Sequence, residues 1–380
     1  MKITIVLGAF FPVPPIMGGA VEKVWFALGQ EFARRGHEIT LVSRTMPEFP
    51  DQETVNGIRY IRVRGFDAPR SPVWLKVLDL IYSLRAKRKL SQSADIVVTN
   101  TFWLPILLRN SQRGKTYAHV ARYPKGQMRF YAQAARLQTP SSAVARAIER
   151  EAPKLKNRIK VVPYPSPRQS AGLPSFWQRP KIILFVGRIH PEKGVHLLVQ
   201  AFADLPREVV SGWSLSIVGP AEENLGGGGM GYLAQLQQIA AGSVGNVVFH
   251  GAVFDFGALA RHFAAARLFV YPSLAEHGES FGLAPLEAMA HGCGVIVSNL
   301  ECFADFIQDG ETGFVFDHRT PNPLAALRQT IEHAMADPKL LARVAENGHR
   351  KSADYSLERV AEQFLHDFSS LLPHGAGTTR

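Results

Sequence analysis

Two glutamates with a glycine between them are the residues in this sequence whose types and spacing best fit a chemical role. Glu279 and Glu287 are separated by seven residues, and Gly282 lies between them. Carboxylates only accept hydrogen bonds, which suits the paired hydroxyls of a ribose or a hexose. Gly282 allows the backbone to approach a ligand closely, and a helix beginning there would attract phosphate. The pattern indicates a site for a molecule that is both phosphate and polyol, such as a nucleotide sugar.

The flanking residues predict the elements that position these glutamates. The apolar run Leu268–Tyr271 predicts a buried strand, and Pro285 predicts the first turn of a helix. Gly292 is placed to end that helix, and Val295–Val297 predicts the next strand. An alternative is a surface loop before an ordinary amphipathic helix, since glutamate in a first turn complements the helix dipole.

A second group of candidates follows the predicted strand Lys181–Val186. Arg188 comes directly after Gly187, and Lys193 lies at the start of a helix that runs through Phe202. Two cations at a helix start are suited to a diphosphate. The alternative is surface charge on a turn between strand and helix.

The first half of the chain carries further candidates on a predicted βαβ unit. Gly18 and Gly19 open a helix after the strand Ile3–Leu7, at the end of the strand where open α/β sheets bind ligands. The strand Tyr117–Ala121 carries His119, which we expect to point toward a ligand, although a lone strand histidine is more often structural. Arg122 and Lys125 follow it and are candidates for phosphate or acceptor contacts.

Length and composition limit the class of protein. A chain of 380 residues favours two domains, and 46% hydrophobic with 20% charged residues is ordinary for a soluble protein. The net charge of +11 suits anionic partners, which include nucleotides, nucleic acid and anionic membranes. Two cysteines, Cys293 and Cys302, provide no disulfide framework and favour a reducing compartment.

Two stretches bear on localisation. Met1–Phe11 has the look of a signal peptide, but its apolar run is short and prolines follow, so we expect a buried strand and a cytoplasmic protein. Ser71–Leu90 predicts a helix with an apolar stripe and a basic end. Such a helix either packs on its own sheet, which we favour, or lies at the inner face of an anionic membrane.

Four motifs together resemble the retaining glycosyltransferases of family 4. They are the E-x7-E pair within the stretch Leu268–Ser298, the GG-A-x-x-x-V element at Gly18, the GR-I-x-x-x-KG element at Gly187 and the DG-x-T-G turn at Asp309. The resemblance implies an α/β chain of the GT-B fold, with two Rossmann-like doubly wound domains facing across a cleft. It also implies that no metal or cofactor is required.

The resemblance also assigns roles. Glu279 is expected to contact the donor hexose, Glu287 the ribose, and Arg188 with Lys193 the departing diphosphate. His119 is expected near the reacting sugar, and together with Glu279, Arg188 and Lys193 it forms the predicted catalytic set. The predicted donor-binding residues are Gly18, Gly19, Arg188, Lys193, Val253, Glu279, Ser280, Phe281, Gly282, Leu283 and Glu287.

We expect an acceptor-side domain at residues 1–168, a linker at 169–180 and a nucleotide-sugar domain at 181–355. A helix at 356–372 is expected to return to the first domain, before a tail at 373–380. The sequence departs from the family pattern at Tyr164–Pro167, and Asp305 stands where a glutamate is usual.

The expected function is transfer of a hexose from a nucleotide sugar to a glycan, a lipid-linked molecule or a small molecule, in bacterial surface polysaccharide or glycoconjugate synthesis. Three alternatives remain. They are a nucleotide-sugar epimerase of the same architecture, a nicotinamide dehydrogenase, and a non-catalytic binder of anions or nucleic acid. The dehydrogenase lacks its Gly-x-Gly-x-x-Gly sequence, and aromatic residues are not interleaved with the basic ones as nucleic-acid stacking requires.

Overall fold

The structure is a computed structural model, and it describes residues 1–17, 19–69, 71–109, 113–166 and 172–373. The chain divides into two compact units. The first is Met1–Pro165 together with the chain from Leu357 onward, and the second is Ser166–Ser356. The predicted site residue Gly18, residues 169–171 of the predicted linker and residues 374–380 of the predicted tail lie outside the described ranges.

The first unit is built on an eight-stranded sheet in the order β3-β4-β2-β1-β5-β6-β7-β8. The strands are parallel except for β3, which pairs antiparallel with β4. The strands are β1 Lys2–Val6, β2 Glu38–Arg44, β3 Gln52–Val55, β4 Ile58–Val63, β5 Ile96–Thr99, β6 Lys115–His119, β7 Arg136–Thr139 and β8 Ile159–Val161. The helices are α1 Ala20–Arg34, α2 Pro72–Lys89, α3 Leu104–Leu107 and α4 Ser142–Glu151.

The second unit is built on a six-stranded parallel sheet in the order β11-β10-β9-β12-β13-β14. Its strands are β9 Ile182–Val186, β10 Ser214–Val218, β11 Asn246–Gly251, β12 Leu268–Tyr271, β13 Gly294–Ser298 and β14 Phe314–Phe316. Its helices are α5 Val195–Ala203, α6 Arg207–Val210, α7 Met230–Ala241, α8 Phe256–Ala265, α9 Leu283–Ala290, α10 Pro323–Ala336 and α11 Pro338–Ser352.

A last helix, α12 (Leu357–Ser370), packs on α1 in the first unit. Trp25 of α1 lies 5.0 Å from Phe364 between ring centroids, so both helices bury an aromatic stripe. Asp367 accepts a hydrogen bond from the Tyr117 hydroxyl at 2.8 Å and forms an ion pair with Arg136 at 2.7 Å. These buried polar contacts tie α12 to β6 and β7.

The central strands of both sheets are apolar on both faces, as parallel strands covered by helices must be. Ile3 and Ile5 of β1 and Leu268 and Phe269 of β12 are almost completely buried. The predicted strand at the start of the chain is therefore confirmed, because Lys2–Val6 pairs with β2 and β5 at the centre of the first sheet.

Helix α9 begins at Leu283, so Pro285 lies in its first turn as predicted. Proline is tolerated there because the first four N–H groups of a helix lack intrahelical partners.

One expectation about a helix needs correction. In α2 the stripe that was expected to pack on the sheet is partly exposed, with Trp74 at 58% and Leu84 at 42%. The packing face is instead formed by Asp79, Tyr82, Ser83 and Ala86.

Candidate active site

Lys193 and Glu279 form a nearly buried ion pair at the carboxyl edge of the second sheet. Lys193 ends a short 3-10 turn after β9, and Glu279 lies in the loop after β12. The lysine Nζ is 2.7 Å from Oε2 of the carboxylate, and the two side chains are 9% and 11% exposed. Since β9 and β12 are parallel neighbours, residues that follow their carboxyl ends meet at one edge of the sheet.

The Glu279 carboxylate is fixed through one of its two oxygens. Oε2 accepts hydrogen bonds from Lys193 at 2.7 Å, from the Tyr271 hydroxyl at 3.2 Å and from Ser273 at 3.3 Å. Within the described ranges, Oε1 accepts none. An ionised carboxylate has about four lone-pair positions, so Oε1 retains two that a ligand hydroxyl can use. Burial, followed by the neighbouring Glu279 charge, raises the pKa of Tyr271, which therefore remains a donor.

Close backbone packing brings the two loops together. Gly194 has a φ of 66°, and a Cβ there would lie 2.0 Å from the Pro272 carbonyl oxygen. The Leu274 amide also donates to the Glu192 carbonyl at 2.8 Å. Any side chain at position 194 would push the Lys193 turn away from the loop that carries Glu279.

Arg188 belongs to the same edge but is held by different partners. Its guanidinium donates to the Gly226 carbonyl and to the Glu192 carboxylate, each at 2.7 Å, and its side chain is 44% exposed. The glycine run 226–229 is anchored through its backbone, because Gly228 donates to the Ile189 carbonyl and Gly229 to the Ala221 carbonyl. The Gly226 carbonyl of this run positions Arg188.

The start of α9 supplies backbone N–H groups next to this pair. Gly282 caps the helix at a φ of 92°, and a Cβ there would lie 2.4 Å from the ring of Phe303. The packing of its own loop therefore requires the glycine. Phe281 is buried against Phe306 and Tyr355, so only its backbone is available to a bound ligand.

The other predicted donor-binding residues of this unit are half-buried. Ser280 and Leu283 flank Gly282, and Glu287 lies in the second turn of α9 rather than in the first. Val253 follows β11, beside the exposed Phe254. The structure therefore brings Lys193 and Glu279 into contact and places Arg188, Gly282 and Glu287 on loops or helices that follow the same sheet edge.

His119 lies in the first unit, in a fully hydrogen-bonded environment. Its Nδ1 is 2.5 Å from Oε1 of Gln138, its Nε2 is 3.0 Å from the Tyr164 hydroxyl, and the ring meets Trp25 edge-on at 5.4 Å. Burial lowers its pKa to about 4, so the ring is neutral at physiological pH. In this arrangement neither ring nitrogen is available to a sugar.

The remaining first-unit candidates surround the amino end of α1. Gly19 caps α1 at a φ of 89°, and a Cβ there would lie 2.4 Å from Oε2 of Glu22. Burial is the main cause that raises the pKa of Glu22, and the charge of Arg122 opposes it. Arg122 and Lys125 are both exposed. Glu22 was not among the predicted residues, although its place in the first turn after the glycine pair is a signal for it.

Two family models match this chain. The model for glycosyl transferases group 1 matches residues 174–351, and the model for glycosyltransferase family 4 matches residues 17–165. Together they account for most of both units. The chain belongs to the group 1 glycosyltransferases of family 4.

Relatives of this glycosyltransferase agree with that assignment. It is 30% identical over 232 residues to a phosphatidyl-myo-inositol mannosyltransferase of Mycobacterium leprae, covering 60% of this chain and 56% of the relative. The chain spans about half the length of the curated relatives that it matches at about 30% identity.

Solved structures show the same GT-B fold. Sucrose-phosphate synthase from Thermosynechococcus elongatus superposes with a TM-score of 0.79 at 21% identity, covering 98% of this chain and 99% of that one. Anabaena HepE in complex with UDP-glucose gives 0.71 at 18% identity, covering 97% and 100%. The predicted fold class, two parallel-sheet α/β domains of the GT-B type, is confirmed.

Sequence reasoning missed several residues that support the site. Tyr271 and Ser273 orient Glu279, and Glu192 holds Arg188. Tyr271 and Ser273 lie at the end of a predicted strand in an α/β sheet, which is the signal that identifies them. Within the described residues no cluster of three or more potential metal ligands occurs, and no helix has the length and apolar character of a membrane span.

Proposed function

We propose that this chain is a retaining glycosyltransferase that moves a hexose from a nucleoside diphosphate sugar to a hydroxyl of a glycan, lipid-linked or small-molecule acceptor. The main support for this proposal is the way the Glu279 carboxylate is held. It is fixed at Oε2 by Lys193, Tyr271 and Ser273, while Oε1 remains able to accept bonds from sugar hydroxyls. The Lys193 cation therefore contacts a carboxylate that can accept hydrogen bonds from sugar hydroxyls. This arrangement suits a ligand in which a diphosphate adjoins a hexose.

In the proposed reaction, the bond between the anomeric carbon and the diphosphate oxygen breaks, and the acceptor oxygen forms a new bond to that carbon. The acceptor proton passes to the departing diphosphate. Attack on the face that the diphosphate leaves retains the anomeric configuration without an enzymatic nucleophile.

Lys193 and Arg188 would stabilise the negative charge that develops on the diphosphate. Lys193 uses one of its three donors on Glu279 and has two left, and Arg188 is presented by Gly226 and Glu192. Fixed charges that face developing charge often supply the largest share of catalysis. The amino end of α9, at Gly282 and Leu283, would add backbone donors, and Glu287 would accept from the ribose hydroxyls.

The identity of the donor is supported by likeness alone. Anabaena HepE, which shares the fold, is described in complex with UDP-glucose. Val253 and the backbone around it would contact the nucleobase, and Ser280 and Phe281 would contribute backbone near the phosphates. The contacts proposed for Gly19, His119, Arg122 and Lys125 in the first unit remain predictions.

We also propose that α2 contacts an anionic membrane, which would suit a lipid-linked acceptor. Val73, Val77 and Leu84 fall on one helical stripe and are exposed, with Trp74 beside them at 58%. The helix ends in the exposed cations Arg88 and Lys89. Exposed apolar residues with a basic end fit the surface of an anionic bilayer.

A thermal-shift screen against UDP-, GDP- and ADP-sugars tests the donor site first. A ligand that binds only the folded state at 100 times its Kd stabilises it by about 2.7 kcal/mol, which is several degrees in melting temperature. At least one sugar nucleotide should raise the melting temperature, and E279Q should abolish the rise. Absence of any shift across the panel would overturn the proposal.

The reaction itself is tested with the donor found in the screen. NMR of the product should show the donor's anomeric configuration, and chelation with EDTA should leave the rate unchanged if no metal is needed. Inversion at the anomeric carbon would contradict the retaining mechanism. Donor epimerisation in the absence of any acceptor would identify the chain as an epimerase instead.

A further inference from the structure

A groove lies in the second unit, at the opposite edge of the sheet from the Lys193–Glu279 pair. It has a volume of about 510 Å³. Arg179 on its wall precedes β9, and Gly292 precedes β13, so the groove lies at the amino ends of these parallel strands. The donor-site loops follow the carboxyl ends. The groove is therefore separate from the proposed active site, and the inference below does not rest on the proposed function.

The floor of the groove holds a buried guanidinium. Arg179 is 4% exposed, and its donors reach the backbone carbonyls of Pro174 and Ala266 at 3.2 Å and interact with the buried Cys293 thiol. In the part of the chain that the structure describes, no carboxylate pairs with it. Burying an unpaired charge is costly, so Arg179 favours an anion from outside the chain. A Cβ on Gly292 would lie 3.0 Å from the guanidinium, so the glycine keeps this wall open.

Helix α11 adds further cations. Lys339 and Arg343 line the groove, and within the described ranges neither side chain has an ion-pair partner. The neighbouring Asp337 caps α11 through the amides of Lys339 and Leu340. Glu346 is the one carboxylate among the lining residues, and it faces Arg350 at 3.8 Å. The cations thus exceed the anions on this wall.

Two histidines lie close to these cations. His349 lines the groove, and its buried Nδ1 has no hydrogen-bond partner among the described residues. His291 lies nearby, and its pKa is lowered first by burial and then by the charges of Arg179 and His349. These groups, Arg179, Lys339, Arg343 and His349, can together surround a dianion. Guanidinium groups match phosphate oxygens through paired donors.

The opposite wall of the groove is aromatic. Phe176 and Trp177 meet edge-on at 5.4 Å, and Arg267 lies over the Phe176 ring at 5.7 Å. Trp177 is held at its backbone, where Arg267 donates to its carbonyl at 3.0 Å, yet its side chain is 55% exposed. An exposed indole beside a cationic floor offers a surface on which a planar group can stack.

We propose that this groove binds a phosphate monoester that carries a planar or apolar group. The phosphate would lie against Arg179, Arg343 and Lys339, and the planar group against Trp177. The site would be distinct from the donor site in both position and residues.

The test is calorimetric titration with phenyl phosphate and with inorganic phosphate. Phenyl phosphate should bind wild-type protein more tightly than inorganic phosphate does, by about fivefold, from stacking on the indole. The double variant K339Q/R343Q should bind phenyl phosphate at least about tenfold more weakly than wild type, because charge-assisted hydrogen bonds are lost. The matched control K351Q removes a charge from the same helix, where Lys351 pairs with Asp354 outside the groove, and should bind as wild type does.

Two more variants locate the binding. W177A should reduce the affinity for phenyl phosphate to that for inorganic phosphate. R188Q, which alters the donor site without affecting folding, should leave phenyl phosphate binding unchanged. Binding that is lost in R188Q but kept in K339Q/R343Q would place the ligand in the donor site and overturn the proposal. Lack of binding to wild type at millimolar concentration, or equal affinity for the two probes, would also overturn it.

Discussion

The Lys193 ammonium and the Glu279 carboxylate lie 2.7 Å apart, and each side chain is about one-tenth exposed. Lys193 arrives from the loop after β9 and Glu279 from the loop after β12, so the pair joins two loops of the second sheet. The contact has consequences for stability as well as for ligand binding, and each can be measured separately.

Removing one member of the pair should destabilise the protein more than removing both. K193M leaves a carboxylate nearly buried without its cation, which costs about 3–5 kcal/mol in comparable buried pairs. In the double variant K193M/E279Q that unpaired charge is gone. Urea unfolding of wild type, K193M, E279Q and the double variant should give a coupling free energy of at least about 1 kcal/mol between the two residues. Simple additivity would show that the pair does not interact.

The orientation of Glu279 should matter for catalysis beyond its presence. E279Q should reduce kcat/KM by about 100-fold or more, since one acceptor of a sugar hydroxyl is lost. Y271F removes one of the three donors to Oε2 and should cost about tenfold, because the carboxylate is less well held. The measurement is steady-state kinetics with the donor from the screen. Wild-type kinetics in E279Q, with a normal melting temperature, would contradict the assignment.

Arg188 should affect activity with little effect on folding. Its side chain is 44% exposed, so R188Q should change the free energy of unfolding by less than about 0.5 kcal/mol. The same change should lower kcat/KM at least about tenfold, because a cation facing the diphosphate is removed. E192Q is the matched control, as it removes a partner of Arg188 but keeps the guanidinium. Activity equal to wild type in R188Q would exclude a role in the reaction.

Much of the fold could be predicted from the sequence because its signals are local. Leu268–Tyr271 occupies the predicted residues as β12, since an apolar run that is ended by Pro272 defines a strand well. The antiparallel strand β3 was missed because Gln52–Val55 is mostly exposed and carries no apolar pattern.

The parts of the site that could not be predicted depend on contacts that position along the chain does not fix. Tyr271 and Ser273 lie at the end of a strand, where a site is expected, but they support Glu279 only because the loop returns over the end of β12. The enclosed state of His119 likewise depends on Gln138 and Tyr164, which come from other parts of the first unit. Strand position alone predicted a side chain that points toward a ligand.

His119 should make the first unit less stable in acid. Its folded pKa of about 4 lies below the ordinary 6.5, so the unfolded chain binds the proton more readily. The neutral, buried His119 therefore contributes about 3 kcal/mol to the free energy of unfolding above pH 6.5, and this contribution is lost as the pH falls toward 4. Asp79, whose pKa burial raises to about 6, changes stability in the opposite direction over a similar range.

The comparison with H119Q isolates the histidine from Asp79 and the other titrating groups. Glutamine can still hydrogen bond to Tyr164 but does not titrate. Urea unfolding at pH 7, 6 and 5 should therefore show a smaller loss of stability for H119Q than for wild type. Equal slopes for the two proteins would show that His119 does not carry a lowered pKa.

The exposed face of α2 should bind anionic bilayers. Flotation with phosphatidylglycerol vesicles should recover wild-type protein, and V73S/W74S should reduce the partition coefficient at least about tenfold, because buried aromatic area is lost. W177S is the control, since Trp177 is similarly exposed at 55% but lies in the second unit. R88Q/K89Q should weaken binding most at low salt, because about 1 kcal/mol per cation comes from the lipid charge. Recovery of V73S/W74S equal to wild type, or equal binding of wild type to neutral phosphatidylcholine, would show that α2 is not the contact surface.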